Sequence, residues 1–290
     1  EKELGPTHVS ADIGCHTMAV GEPFGFGNSV LGYGMGLASS AGVAPSQQKR
    51  VVSVMGDGGF WHNGLTSGVA GSVFNKTDSV LLVMKNGYSS ATGQQSLPNS
   101  QTNTFGEPID MSIENALKGV GVKWLRTIRS YSVALMADTL RDAMTTQDKG
   151  LKVIVADGEC RLARQRRVKA TVRKTLERNG RVVRTRFGID AAVCTGDHSC
   201  IRLSGCPSLT VKDNPNPLKD DPVAAVDQSC VGCGLCGEVA HAAILCPSFY
   251  QADIVQNPGM LERLADRIRR ALINALQGRE PAHLSGTAAE

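Results

Sequence analysis

Val51-Val52-Ser53-Val54-Met55-Gly56-Asp57-Gly58-Gly59 is a short, β-branched apolar run that stops abruptly in glycines set around one aspartate. Such a run suits a strand covered on both faces, and the glycines mark the turn that ends it. Ser79-Val80-Leu81-Leu82-Val83-Met84 repeats the pattern and stops at Lys85-Asn86-Gly87. Between the two, His62 to Phe74 places Leu65, Val69 and Val73 on one helical face, so the stretch predicts a βαβ unit. Val122 to Leu125 and Leu151 to Ala156 add two strands, with Tyr131 to Met144 a helix between them that turns Ala134, Leu135 and Leu140 inward. Upstream, Asn28 to Gly42 is expected to be a glycine-rich helix able to pack closely. Strands alternating with helices predict an α/β fold, a parallel sheet with helices on both faces. Ligands of such sheets sit beyond the carboxyl ends of the strands, where Asp57 and Asn86 both fall.

One carboxylate and one amide oxygen on adjacent strand ends suit a hard cation such as Mg²⁺, with a loop carbonyl and phosphate oxygens completing its shell. Flanking glycines let the backbone approach a diphosphate. Taken alone, Gly56-Asp57-Gly58 is as well explained by a strand-ending turn.

The second half of the chain has a different grammar. Seven cysteines lie between Cys194 and Cys246, and Cys206 and Cys246 each precede a proline. Cys230-Val231-Gly232-Cys233-Gly234-Leu235-Cys236 wraps three thiols around one small object, as ferredoxin loops do around an iron–sulfur cluster. In two-cluster ferredoxins the Cys of each Cys-Pro serves the other cluster, which groups Cys206, Cys230, Cys233 and Cys236 as a [4Fe–4S] site. The run Cys194-Thr195-Gly196-Asp197-His198-Ser199-Cys200 has an aspartate where a middle cysteine is expected. Cys194, Asp197, Cys200 and Cys246 then form a second site, [4Fe–4S] with a weak carboxylate ligand or [3Fe–4S]. Zinc sites use paired Cys-x2-Cys knuckles, a poorer match. Disulfides fit badly with clustered thiols and no secretory signal, so a cytoplasmic protein is expected.

At 290 residues the chain is expected to hold two domains. The proposed boundaries are residues 1–160 for the α/β domain, 161–190 for a basic linker, 191–255 for a small two-cluster ferredoxin-like domain, and 256–290 for an amphipathic helix and tail. The net charge of +4 hides a local excess: Arg161 to Arg186 carries eleven basic residues against Glu177. Lacking interleaved aromatics, this run points to a solvated linker or a face for an anionic cofactor or acidic partner rather than to nucleic acid. No stretch is long and apolar enough to span a membrane. Lys212 to Pro222 is expected as a solvent loop, Cys160 as an inert packed thiol, and Pro258 to Gln277 as a helix with Leu261, Leu264, Ile268, Leu272 and Leu276 on one face.

Gly56-Asp57-Gly58, then residues 59 to 85, then Asn86, resembles the thiamine diphosphate motif. Tyr88 and Thr92-Gly93-Gln94 are similar to the Asn-x-Tyr and Thr-Gly-Gly-Gln segments of 2-oxoacid:ferredoxin oxidoreductases, with Gln94 in place of the second glycine. Ala11 to Thr17 is similar to the Gly-Cys segment these enzymes set near the cofactor. With the Cys194 to Pro207 segment, roughly residues 5 to 260 resemble the C-terminal part of the catalytic subunit of the indolepyruvate:ferredoxin oxidoreductases. The resemblance implies thiamine diphosphate bound near Gly14, Cys15, Gly56, Asp57, Gly58, Gly59, Asn86, Tyr88, Thr92 and Gly93. It also implies Mg²⁺ on Asp57, Asn86 and the Tyr88 carbonyl, with His16 and His62 as hydrogen-bond donors or proton shuttles. The implied reaction is oxidative decarboxylation of a 2-oxoacid, an aryl pyruvate such as indolepyruvate, to acyl-CoA and CO₂. Electrons leave through the clusters to ferredoxin or another acceptor, and coenzyme A takes the acyl group. Two alternatives are a non-oxidative thiamine-dependent decarboxylase and a non-catalytic electron-transfer module. The glutamate that activates thiamine resides, in such enzymes, on a pyrimidine-binding domain, and no second α/β domain of suitable size is present. The rest of the oxidoreductase, with that domain and a smaller subunit domain, is therefore an expected partner, and an oligomer is expected.

Overall fold

The computed structural model describes residues 5–21, 25–204, 206, 208–234, 236–237 and 246–276. The chain forms two units, Glu1–Arg164 and Gln165–Glu290. In the first, the strands in chain order are β1 (Val9–Ala11), β2 (Ser29–Val30), β3 (Val52–Gly56), β4 (Val80–Lys85), the hairpin strands β5 (Tyr88–Ser89) and β6 (Gln95–Ser96), β7 (Trp124–Arg129) and β8 (Lys152–Asp157). Six of them form one sheet in the order β2-β1-β3-β4-β8-β7, and every pair is parallel. Side chains alternate across a strand, which divides the apolar runs between two cores. Met55, Leu81, Val83, Val153 and Val155 face one side. Val52, Val54, Val80 and Ile154 face the other.

The chain reverses its direction of travel across the sheet between β1 and β3, because β2 lies on one side of β1 and β3 on the other. Such a switch opens a crevice at the carboxyl ends of the two central strands. The helix after β3 starts at Asp57 with no intervening loop. Its α segment α2 (Asp57–Gly59) runs into a π-helical stretch, Phe60–Val69, and then into α3 (Ala70–Phe74). The expected βαβ unit is present, and Leu65, Val69 and Val73 all pack on the core. The most buried line is Phe60, Gly64, Gly68 and Val69. A Cβ on Gly64 would meet the Met55 sulfur at 2.7 Å, and one on Gly68 would meet Leu37 at 3.1 Å, so the helix rides close on its neighbours.

Two sequence expectations for this unit need correction. Asn28 to Gly42 is not one helix: Ser29–Val30 joins the sheet, Gly34 turns the chain at φ +78°, and the helix α1 is Gly36–Val43. β1 and β2 are three and two residues long and carry serines, too short for an alternation signal to register. The helix before β8, α5 (Val133–Thr145), turns Met136, Leu140, Ala143 and Met144 toward the core rather than Ala134 and Leu135, and Leu135 is 47% exposed. An additional helix, α4 (Ile113–Gly119), is capped by the Ser112 hydroxyl, which accepts from Asn115 N at 3.0 Å.

In the second unit, β9 (Val182–Ile189) pairs antiparallel with β12 (Phe249–Gln256) along its whole length, and β10 (Leu209–Lys212) pairs with β11 (Val223–Val226). Its helices include α6 (Arg161–Glu177), which begins in the first unit, α7 (Ser199–Ser204) and α8 (Met260–Leu276). The expected basic linker is therefore a helix and a strand. Arg, Lys, Leu, Gln and Ala are strong helix formers whatever their charge, and Asn179 (φ 53°) with Gly180 ends the helix before β9. The Lys212 to Pro222 loop joins β10 to β11 as a mostly exposed turn. The apolar face of α8 is exposed, and Gln277 and the tail lie outside the described residues.

One polar cluster ties the first unit together at the other end of the sheet. Lys152 is 0% exposed; its Nζ bonds Asp78 Oδ1 and donates to Gly150 O at 2.9 Å. Arg50 Nε donates to the same Asp78 oxygen at 3.0 Å, while its Nη atoms reach the Ala143 and Thr146 carbonyls at the end of α5. Burial opposes the Asp78 charge, but bonds and charges from Lys152 and Arg50 hold its carboxyl below the usual range. Asp78→Ala is expected to lower the unfolding free energy by about 3 kcal/mol, because it leaves a buried ammonium uncompensated. Lys152→Met keeps the volume and strands no charge, so urea denaturation should give it the smaller loss; the reverse order would remove this cluster from its role.

Candidate active site and metal centres

A cavity of about 330 Å³ opens at the carboxyl ends of β1, β3 and β4. Gly14, Cys15, His16, Gly56, Asp57, Gly58, Gly59, Asn86, Tyr88 and Thr92 all line it, together with Tyr33 from the turn after β2. Of the residues singled out in the sequence, Gly93 and His62 are not in its wall. Gly93, at φ +118°, lies in the β5–β6 turn, and His62 is exposed with its ring 5.1 Å from that of Tyr33.

Asp57 is the hub. It is 1% exposed, and Oδ2 accepts from Asn86 N at 2.9 Å, Gly87 N at 2.7 Å and Asn99 Nδ2 at 3.1 Å. Oδ1 accepts from Gly58 N at 3.1 Å. The carboxylate thus clamps the loop after β4 onto the start of the helix after β3. Burial pushes its pKa up, and the four donors, Asn99 foremost, pull it back. The Asn86 side-chain oxygen accepts from Tyr88 N at 3.0 Å and Ser90 Oγ at 3.1 Å. By donor type this corner suits a hard cation with diphosphate oxygens: a carboxylate whose Oδ1 accepts one hydrogen bond, an amide oxygen on the next strand end that would give up Tyr88 N or Ser90 Oγ to bind it, and the carbonyls of the loop backbone. A Cβ on Gly56 would meet nothing within 4 Å, which leaves this wall of the cavity open to a ligand.

Gly58 and Gly59 have a reason the sequence did not disclose. A Cβ on Gly58 would fall 2.1 Å from Tyr33 Oη, and one on Gly59 would fall 2.0 Å from Asp12 Oδ2. Asp12 itself was not picked out. It is 0% exposed; Oδ1 accepts from Ile13 N at 2.8 Å and Gly34 N at 2.7 Å, while Oδ2 is buried without a partner. Burial raises its pKa against those backbone donors. Asp12 joins the β1, β2 and β3 ends behind the cavity. Asn99 was missed as well, and Trp61 Nε1 donates to its Oδ1 at 2.7 Å, aiming the amide at Asp57. No periodicity marks such a loop residue.

His16 is half-buried, and its Nε2 is buried without a partner. Burial lowers its pKa, so the ring is neutral at neutral pH and presents an unsatisfied nitrogen. The Cys15 thiol is raised by burial and then by Cys160 nearby, which makes it a poor nucleophile. In the β5–β6 turn Gln94 adopts φ +67°, the left-handed conformation glycine takes without cost. A glycine, as in the segment this stretch resembles, would hold that conformation without strain.

The seven cysteines of the second unit are all free thiols. Cys200, Cys206, Cys236 and Cys246 belong to its small core with Leu209, Phe249 and Phe187. The Cys236 thiol is pushed up to about 12, first by burial and then by Cys206, Cys233 and Cys230. Cys200 is raised by burial and then by Cys246, with Cys194 and Asp197 acting in the same direction. Cys236 thus has Cys206, Cys233 and Cys230 as electrostatic neighbours, and Cys200 has Cys246, Cys194 and Asp197. Among the described residues, no three His, Cys, Asp or Glu side chains gather closely enough to form a metal site, so the fit rests on donor type and grouping. Asp197 is exposed and its carboxylate accepts from Ser199 N at 3.3 Å and Ser199 Oγ at 2.8 Å, which starts the helix carrying Cys200. Gly232, at φ +65°, lies so close to β9 that a Cβ would sit 2.1 Å from Thr185 O, which fixes glycine in the Cys230 loop.

The chain is 27% identical over 250 residues to the indolepyruvate oxidoreductase subunit IorA of Archaeoglobus fulgidus, covering 85% of this chain and 36% of that protein. The IorA subunit of Methanothermobacter thermautotrophicus is 25% identical over 240 residues, 81% of this chain and 34% of that protein. The chain therefore spans about a third of the length of these curated relatives. Among solved structures, 2-oxoglutarate:ferredoxin oxidoreductase from Magnetococcus marinus is similar at 18% identity and a TM-score of 0.45, over 53% of this chain and 54% of that one. Residues 12–156, half of the chain and nearly all of the sheet with its cavity, match the family described as thiamine pyrophosphate enzyme, C-terminal TPP binding domain, and the chain belongs to that family.

Proposed function

We propose that this chain is the cofactor-and-electron half of an oxidative 2-oxoacid decarboxylase, an indolepyruvate:ferredoxin oxidoreductase. The observation that carries this is the Asp57 clamp: a buried carboxylate beside Asn86 in a glycine-walled cavity, in one chain with two groups of thiols. Asp57, Asn86 and the Tyr88 carbonyl would hold Mg²⁺, and Gly14, Cys15, Gly56, Gly58, Gly59, Thr92 and Gly93 would border the diphosphate. Bound thiamine diphosphate supplies the electron sink for decarboxylation. His16, neutral and with a free Nε2 at the cavity wall, would orient a polar group or carry a proton there. His62 would act from the rim through Tyr33. Cys206, Cys230, Cys233 and Cys236, and Cys194, Asp197, Cys200 and Cys246, would hold the two clusters that take electrons to ferredoxin or another acceptor. The 2-oxoacid is an aryl pyruvate such as indolepyruvate, coenzyme A receives the acyl group, and the assembly is a cytoplasmic oligomer whose other segments bring the pyrimidine-binding domain. In the described residues no helix is long and apolar enough to cross a membrane.

Asp57→Ala is expected to weaken thiamine diphosphate binding roughly a hundredfold or more, the scale of losing a charged ligand of the metal. Iron and sulfide content should stay at the wild-type level. Calorimetric titration with the cofactor and Mg²⁺ decides the matter, and wild-type affinity would take Asp57 out of the site.

The two clusters should differ in their resistance to oxidation, because a carboxylate holds iron less firmly than a thiolate. Electron paramagnetic resonance of air-exposed protein is expected to show a three-iron signal that Asp197→Cys abolishes. Identical spectra would leave Asp197 with its helix-starting role alone. Residues 1–290 expressed without the remaining segments should turn over no 2-oxoacid, with activity returning when those segments are added; robust decarboxylation by this chain alone would contradict the division of labour.

A further inference from the structure

The run from Arg161 to Arg186 holds eleven cations and a single acid, Glu177; Arg164 pairs with Glu159 and Arg181 with Glu262, and the chemistry above uses none of the eleven. The fold gathers part of this run around the Cys230 loop. Gln165 Nε2, on α6, donates to the Ser229 carbonyl at 2.8 Å, immediately before Cys230. Lys169 and Arg173 follow one and two turns later on the same helical face and are exposed. Beneath the loop runs β9. Gly232 rests against the Thr185 carbonyl, and Thr185 is flanked by Arg184 and Arg186. Arg186 Nη1 donates to Gln228 O at 3.1 Å, and Arg184 is an electrostatic neighbour of the Cys230 thiol. The acids at hand are Asp227, which accepts from Ser229 N at 2.6 Å, and Asp253, which accepts from Thr185 Oγ1 at 2.7 Å. Those two acids stand beside the Cys230 loop and on β12 opposite β9, not on α6. Lys169, Arg173, Lys174 and Arg178 on and just beyond α6 remain against Glu177, whose nearest approach to Arg173 is 3.7 Å in an exposed pair. Salt screens such an exposed pair, but a one-sided surplus of this size still steers an oppositely charged partner.

We propose that the basic collar made by α6 and β9 around the Cys230 loop is the docking surface for a small acidic protein that carries one electron. This rests on the proposed function, in which the Cys230 group holds a cluster. A cluster held by the Cys230 group would supply one electron per encounter and the carrier's oxidised iron–sulfur centre would take it, with no bond made or broken; the collar's own part is to hold the carrier beside the loop. Encounters of redox partners are small and short-lived, and complementary charge supplies their rate and orientation without a large apolar interface.

The test is calorimetric binding of an oxidised acidic [4Fe–4S] ferredoxin to the purified enzyme in its native assembly, wild type against Lys169→Glu/Arg173→Glu/Lys174→Glu, at about 20 and 300 mM salt. The variant is expected to bind roughly tenfold or more weakly at low salt, high salt should weaken the wild type by a similar factor, and the corresponding triple glutamine variant should fall between. Iron content and helix content by circular dichroism should be unchanged. Wild-type affinity in the glutamate variant, no binding by the wild type, or tighter binding of duplex DNA than of the carrier at the same salt would each overturn the assignment. Binding of an oxidised carrier needs no turnover. Absence of 2-oxoacid-dependent reduction of a small dye by the wild type would therefore defeat the proposed function and leave the docking result readable.

Discussion

The geometry of the cavity depends on one buried carboxylate. Asp57 stands where β3 becomes a helix without a loop, and its oxygens collect donors from its own helix, from the loop after β4 and from Asn99. Burying an anion is costly unless it is surrounded by donors or cations, and burial does push this group toward its neutral form. The backbone donors offset that cost only if two strand ends stay in register. The need to satisfy the charge therefore holds Asn86, Gly87 and Tyr88 in place, and a cation added at this corner would strengthen the same arrangement. Asp12 is a second carboxylate built on similar terms, less completely satisfied, a few residues along the crevice.

The two units are stabilised differently. The first buries aliphatic side chains on both faces of a six-stranded sheet. The second has a small core in which thiols stand among Leu209, Phe187, Ile189 and Phe249. Four of its seven cysteines pack there, so the side chains that would ligate iron also serve as core. In such domains metal binding and folding share one free energy, and the long β9–β12 ribbon supplies most of the order that the backbone provides by itself.

Sequence patterns exposed the parts of this structure that repeat. β3, β4 and β8 were legible because continuous Val, Ile and Leu runs have few other homes, and Asp57 and Asn86 followed from where those runs stop. β1 and β2 were not legible, since pairing partners rather than their own three and two residues make them strands. That the start of the basic linker is the helix α6 was not legible, because a charged helix has no apolar stripe to betray it. Within the site, Tyr33, Asn99 and Asp12 act through contacts between distant segments, and nothing local to each distinguishes it. Gln94 was visible as a departure from a pattern, and only its φ of 67° gives the departure a physical meaning.

The π-helical stretch from Phe60 to Val69 has a consequence for how this site can change. Its wider turn, with Ala70 N bonded to Leu65 O five residues back, spends one residue more than an α-helix would between the cavity and α3. Deleting one residue there would let the backbone relax to ordinary α-helix, and it would also swing every later side chain by about a third of a turn. Gly68 would leave Leu37, and a bulkier neighbour would be driven against it. The helix is thus locked out of register with its own most relaxed form, and length variation in this family is better borne by the loops between β4 and α4 than by the segment that carries Asp57.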